Sequence, residues 1–107
     1  MGILRKRHEK NILTENGFEY KKNSAGWHLT DCYEIFIPIN DTYCAYVAVK
    51  PETKHLAYYI EYECGGEVSS GCYSVSHFPS FEDNPEGFFD ALDEEVTGLV
   101  DGWNHPY

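Results

Sequence analysis

Residues 33–62 read YEIFIPINDTYCAYVAVKPETKHLAYYIEY, and the alternation within this stretch decides the fold. Apolar and β-branched or aromatic side chains recur at every second position, which is the period of a half-buried strand. Two breaks interrupt it, Asn40-Asp41-Thr42 and Pro51-Glu52-Thr53-Lys54, both rich in turn-forming residues. Connections this short cannot carry a parallel crossover, so the flanking strands run antiparallel.

Each turn also fixes which residues stand opposite one another, and opposite residues share a face. Across residues 40–42, Ile39 meets Tyr43, Ile37 meets Ala45, Ile35 meets Val47 and Tyr33 meets Val49. Across residues 51–54, Val49 meets Leu56, Val47 meets Tyr58, Ala45 meets Ile60 and Tyr43 meets Tyr62. Both turns, read independently, put the aliphatic residues on one face.

Outward from this hairpin pair the pattern continues on both sides. Gly65-Gly66, read as a two-residue turn, sets Ile60 opposite Gly71, Tyr58 opposite Tyr73 and Leu56 opposite Val75. On the other side, Asn23-Ser24-Ala25-Gly26 is read as a turn that pairs Tyr20 with Leu29 and Phe18 with Asp31. An acid on the core face marks that last pairing as the place for a bulge, an edge or a shorter ladder.

Helices are expected at the two ends. Residues 3–15 read as a short helix, weakly amphipathic through Leu4, His8 and Ile12, with Asn16-Gly17 as a left-handed stop. Asn84-Pro85-Glu86 combines an N-cap side chain, Pro at the first helical position and an acid at the positive end of the dipole. From there Phe88, Leu92, Val96, Leu99 and Trp103 recur at helical spacing, widened by Phe89 and Val100, and this stripe should lie on the aliphatic face of the sheet. The tail His105-Pro106-Tyr107 cannot continue it. The expectation is one α+β domain over residues 1–107: a five-stranded antiparallel meander, an N-terminal helix and a packed amphipathic C-terminal helix.

Composition narrows the function classes. With nine Tyr and six Phe in 107 residues, the chain has ample apolar material to fold. No apolar run approaches the roughly 20 residues of a membrane span, and the start lacks the apolar segment and cleavage site of a secretory leader. Cytoplasmic residence is the expectation, and with it four free thiols, because Cys32, Cys44, Cys64 and Cys72 follow no CxxC spacing.

The net charge of −10 is unevenly spread. Residues 1–22 hold six bases against three acids, a local +3, and the remainder holds two bases against fifteen acids, a local −13. Such a body repels phosphate backbones and anionic lipid, which argues against direct nucleic-acid or membrane binding, although Arg5, Lys6, Arg7 and Lys10 could form a small basic arm.

Two surfaces are candidates for contact with a partner. The second face of the sheet carries Phe36, Tyr46, Tyr59 and Cys72 in one cross-strand row, with Glu34, Lys50, Glu61 and Glu63 near its margins. An aromatic row rimmed by charge suits a protein interface or a homodimer, unless the N-terminal helix covers it. The other candidate is the outer side of the C-terminal helix, where Glu86, Asp90, Asp93, Glu94 and Asp101 stand opposite the apolar stripe. Between Glu82 and Asp101 there are eight acids and no base. Acids three or four positions apart lie about 5–6 Å from one another, comparable to successive phosphates of a nucleic-acid strand.

No enzyme constellation emerges. His8, His28, His55, His77 and His105 are scattered, and no HExxH, GxSxG, P-loop or GxGxxG is present. A small hydrolase using Cys72 or Cys44 with a histidine, or a metal held by His28, His77 or His105, is the alternative; no cofactor is expected. The profile of small size, acidity and missing catalytic motifs resembles that of small protein inhibitors such as anti-CRISPR proteins from phage and toxin-immunity proteins. That likeness implies a non-enzymatic protein that blocks a basic, nucleic-acid-handling partner.

Overall fold

The computed structural model describes residues 10–104. Five strands, β1 (Glu19–Asn23), β2 (Thr30–Pro38), β3 (Tyr43–Lys50), β4 (His55–Tyr62) and β5 (Gly66–Ser74), form one antiparallel sheet in sequence order. A one-turn helix α1 (Ile12–Glu15) precedes it and a long helix α2 (Pro85–Asn104) follows. The meander and both flanking helices therefore stand as the alternation and the apolar stripe require.

The two inner ladders match the expected pairing residue for residue. Tyr33, Ile35 and Ile37 stand opposite Val49, Val47 and Ala45, and Val49, Val47, Ala45 and Tyr43 opposite Leu56, Tyr58, Ile60 and Tyr62. The turns that set this register are held locally. Asn40 Oδ1 accepts the N–H groups of Thr42 and Tyr43, each at 2.8 Å. Lys54 N–H donates to the Lys50 carbonyl at 2.9 Å.

Both outer ladders depart from expectation, over most of their length by an even number of residues. Tyr58 stands opposite Gly71, not Tyr73, and Leu56 opposite Tyr73, not Val75. The chain reverses at Glu63 and Cys64, both left-handed with φ of 51° and 55°, with Gly65 N–H donating to the Tyr62 carbonyl. The handedness of this turn matches the strand twist, so reversal comes before the diglycine. An irregularity between Ile60 and Glu61, where Val68 is the extra residue of β5, returns part of the slip. From Ser69 onward the net displacement is two, which leaves each side chain of that stretch on its face.

At the other edge Tyr20 stands opposite Tyr33, four residues from the expected Leu29. The connection is a six-residue loop, 24–29, closed around buried Ser24. Ser24 N–H donates to the Leu29 carbonyl at 2.8 Å, and Leu29 N–H returns a bond to Ser24 Oγ at 2.9 Å. Phe18 is thereby carried away from Asp31 into the core, and Asp31, left-handed at φ 51°, receives the Tyr20 hydroxyl as a hydrogen-bond partner.

The core is the aliphatic face closed by α2. Val47, Val49, Leu56 and Ile60 pack with Phe88 and Leu92 of the helix, and Val96, Leu99 and Trp103 extend the contact along its length. The helix begins as its sequence requires: Asn84 Oδ1 accepts the Gly87 N–H at 3.0 Å. The Asn84 side chain lies so close that a Cβ on Gly87 would fall 2.3 Å from it, which explains glycine at that position.

Of the helix expected over residues 3–15, the described part is Ile12–Glu15. Asn11 is extended and caps Ile12–Glu15 through Leu13 N–H and Thr14 N–H, so the helix begins there; Gly17 supplies the left-handed stop at φ 97°. Residues 3–9, with Leu4, His8 and the basic arm up to Arg7, lie outside the described residues, as does the tail from His105. Leu13 is fully buried with Phe18 and Tyr33, so α1 sits on the core side and does not cover the second sheet face.

Loop 24–29 partly covers that face instead. Leu29 joins Cys32, Ala48 and Ala57 in a small second cluster, and the buried Glu34 carboxylate accepts the Ala25 N–H at 2.6 Å. Removing a charged acceptor from a buried donor costs about 1–3 kcal/mol. Glu34→Ala is expected to lower stability by about that amount, and Glu34→Gln, which keeps an acceptor, by less. Urea unfolding of the two variants checks this; equal losses would mean that the Ala25 bond does not anchor the loop.

Candidate functional site

Burial of the apolar stripe dictates what the rest of α2 shows to solvent. Phe88 and Leu92 are buried, and Glu86, Asp90, Asp93, Glu94 and Asp101 are all exposed. Among the described residues these acids have no basic partner; the ion pair found there is Lys21 Nζ with Glu19 at 3.8 Å. One acid of the helix is committed elsewhere, since Glu95 accepts the Tyr73 hydroxyl at 2.6 Å and ties α2 to β5. Asp93 also stands at the rim of an apolar groove of about 250 Å³ between α2 and β2, walled by Phe18, Ile35, Ile37 and Phe89.

The second sheet face keeps its aromatic row with one change. Phe36 and Tyr46 pack at 5.1 Å between ring centroids and Tyr46 and Tyr59 at 6.2 Å. The two-residue displacement of β5 puts Ser70 opposite Tyr59 and moves Cys72 to Ala57, so Cys72 is not in the row. Phe36 is 47% exposed. The acidic helix face and the aromatic row lie on opposite sides of the molecule, because α2 packs on the aliphatic face.

Trp27 escapes a reading that ends the first turn at Gly26. It is 79% exposed and left-handed at φ 64°, a conformation that costs a bulky residue about 1–2 kcal/mol. Its neighbour Gly26, at φ 75°, lies against Tyr59, where an added Cβ would come within 2.9 Å of the ring. The loop thus seats an exposed indole beside the aromatic row. The adjoining Gly-Trp step in a turn is the one sequence signal for it.

A cleft of about 440 Å³ was likewise not foreseen. It opens where α1, the 51–54 turn and the segment before α2 converge, and Asn11, Tyr33, Pro51, Lys54, Phe81 and Glu82 help line it. Lys54 Nζ there donates to the Phe78 carbonyl at 2.8 Å. These contacts join residues far apart in sequence and leave no local pattern.

The histidines are not brought together. His28 is exposed within loop 24–29, His55 Nδ1 bonds Thr53 Oγ1 at 2.9 Å, and His77 packs edge-on to Phe78 at 5.0 Å. His105 lies outside the described residues. Among the described residues no three His, Cys, Asp or Glu side chains cluster to hold a metal ion, and none of their helices is long and apolar enough to cross a membrane. All four cysteines are free, with Cys32 and Cys44 buried and Cys64 and Cys72 exposed.

Burial followed by the neighbouring Cys64 and Glu61 pushes the Cys44 thiol up to about 12, and its Sγ lies 3.7 Å from Glu61 Oε1. Burial followed by Glu34 and other charges raises Cys32 to about 11. Burial also raises Cys72. Each shift disfavours the thiolate, the form a nucleophile needs.

No protein-family model matches the chain, and no curated protein and no solved structure matches it.

The raised groups set a pH dependence of stability. Thiols and phenols lose charge neutrality on deprotonation, and burial opposes that. Tyr73 is raised too, by burial and then by its bond to Glu95. The unfolded chain releases the thiol protons first, near their ordinary value of 9.0, so the contribution is whole below that pH and is lost as pH rises through the folded values. Urea midpoints are expected to decline from about pH 9 upward, with a shallower decline in Cys44→Ala. A midpoint that stays level through that window would contradict the burial of these groups.

Proposed function

We propose that this is a non-enzymatic binding protein that occupies and blocks a basic, nucleic-acid-handling surface of a partner protein, with the outer face of α2 as its contact. The observation that supports the reading is the state of the helix acids. Eight acids and no base lie between Glu82 and Asp101, and the five on the outer face are exposed without basic partners among the described residues.

Uncompensated like charges at helical spacing destabilise a helix by about 0.2–0.5 kcal/mol per pair. A basic partner relieves that repulsion on binding, so the same charges that weaken the free helix strengthen a complex. The rigid backing of Phe88 and Leu92 in the core holds the acids at fixed separations, which lowers the ordering cost of association. In this reading the helix presents a line of negative charge to a groove that otherwise holds phosphates.

A second reading, a self-associating structural domain, is favoured by the exposed Phe36 and Trp27 beside Tyr46 and Tyr59. Aromatic side chains of this kind dominate interface energetics when a partner excludes water from them.

The two are separated by changing each surface alone. Immobilised protein is used to capture partners at low and high salt, with mass spectrometry of the eluate. The first reading expects a basic protein whose capture is lost at high salt and in a variant carrying Asp90→Lys, Asp93→Lys and Glu94→Lys. The loss should be about tenfold or more in affinity, with capture retained in Phe36→Ala. Capture indifferent to salt and to the helix substitutions would leave α2 as a solvated face only.

A further inference from the structure

The two edges of the sheet are treated differently by the sequence. β1 is five residues long and carries Lys21 and Lys22, and lysine on a short strand is a common guard against edge pairing. β5 is nine residues long and lies at the opposite edge. From Val68 to Phe81 there is no Asp, Glu, Lys or Arg and, within the strand, no proline. Seven of the nine residues of β5, Val68–Ser74, thus make an uncharged edge in a chain in which 24% of residues are charged, and an unguarded edge is a template for another strand.

The outward groups of β5 can be assigned. Val75 N–H donates to the Lys54 carbonyl at 2.8 Å, and in an antiparallel ladder the backbone groups of alternate residues point the same way. Tyr73 and Gly71 therefore turn theirs toward β4, and Ser74, Cys72 and Ser70 turn theirs outward. The side chains of those three lie on the second sheet face and are small. The irregularity at Val68 ends the regular stretch before the acidic hairpin of Glu61, Glu63 and Glu67.

The geometry points to a second copy of this chain as the partner of the β5 edge, paired antiparallel about a two-fold axis at Cys72. In that register Cys72 exchanges both backbone hydrogen bonds with Cys72 of the second copy, and Ser70 and Ser74 of each copy pair with Ser74 and Ser70 of the other. No charged residue of either strand meets a like charge, and Tyr73 comes opposite Gly71, which adds no side chain of its own and has the Tyr58 ring of its own chain lying over it. A symmetric pairing of this kind is closed, so it yields a dimer and not a fibre. It also joins the two aromatic rows across a continuous ten-stranded sheet, since Ser70 stands opposite Tyr59.

This dimer goes beyond the proposed binding role and does not depend on it. The two respond to salt with opposite sign. Screening weakens the attraction of an acidic helix for a basic partner, and it strengthens association of two chains that each carry −10.

Sedimentation equilibrium of the full chain tests the proposal. The expected mass is twice the 12.3 kDa of one chain, with association tightening as salt is raised. Ser74→Pro removes an outward donor and no β4 bond, and Ser70→Lys puts a charge on the edge; each should give a monomer with the circular dichroism of the wild type.

Oxidation with diamide supplies a second readout, in which two thiols become one disulfide and diamide is reduced to the hydrazine. Paired Cα atoms of a hydrogen-bonded antiparallel pair stand about 5.5 Å apart, within disulfide reach. The wild type and Cys64→Ser should therefore form a covalent dimer and Cys72→Ser should not. A monomer at every concentration and salt overturns the proposal. So does a dimer that survives both edge substitutions, or one that cross-links through Cys64 in place of Cys72.

Discussion

The structure depends on a constraint of parity. One face of the sheet is buried under α2 and the other is not, so a strand can slide along its neighbour by two residues or by four, never by one. An odd slip would turn Val47, Val49 or Ile60 out of the core and bring Tyr46, Ala48 or Glu61 in, each strand forfeiting several buried aliphatic side chains at about 1.5–3 kcal/mol apiece. Both outer ladders do slide relative to what their turns suggest; β1–β2 slides by four, and in β4–β5 the irregularity at Val68 converts a slip of three at the turn into one of two where the strand packs on the core. Burial thus restricts register more tightly than turn chemistry does.

That constraint also explains what was legible in the sequence. The inner ladders could be read to the residue because their turns contain their own locks: Asn40 holds the 40–42 turn through two backbone donors, and the 51–54 turn closes on Lys50. The outer turns are decided at a distance. Loop 24–29 closes where Glu34, nine residues away, reaches the Ala25 N–H, and the β4–β5 reversal is settled together with the irregularity beyond it. The acidic face of α2 was fully legible, since the periodicity that turns Phe88 and Leu92 inward also turns Asp90 and Glu94 outward. The cleft beside Asn11 and Phe81 was not, because its walls meet only through tertiary packing.

Charge and packing divide the work between the two ends of the chain. The acids of α2 repel one another, and the helix holds because its opposite side is fastened by Phe88, Leu92 and the edge-on contact of Trp103 with Tyr43 at 5.0 Å. The Tyr73–Glu95 bond adds a polar tie between the helix and the outermost strand. The position of the acidic face is therefore coupled to the sheet edge, although the two present different chemistry to solvent.

The two tryptophans of the chain stand in contrasting surroundings. Trp103 is half-buried against the Tyr43 ring, and Trp27 is almost wholly in water at the side of the aromatic row. The molecule consequently carries two intrinsic optical probes of distinct emission, one sensitive to the docking of the helix and the other to whatever approaches the second sheet face. Replacing either indole by phenylalanine isolates the signal of the other, so that folding and surface occupancy can be followed separately without an added label.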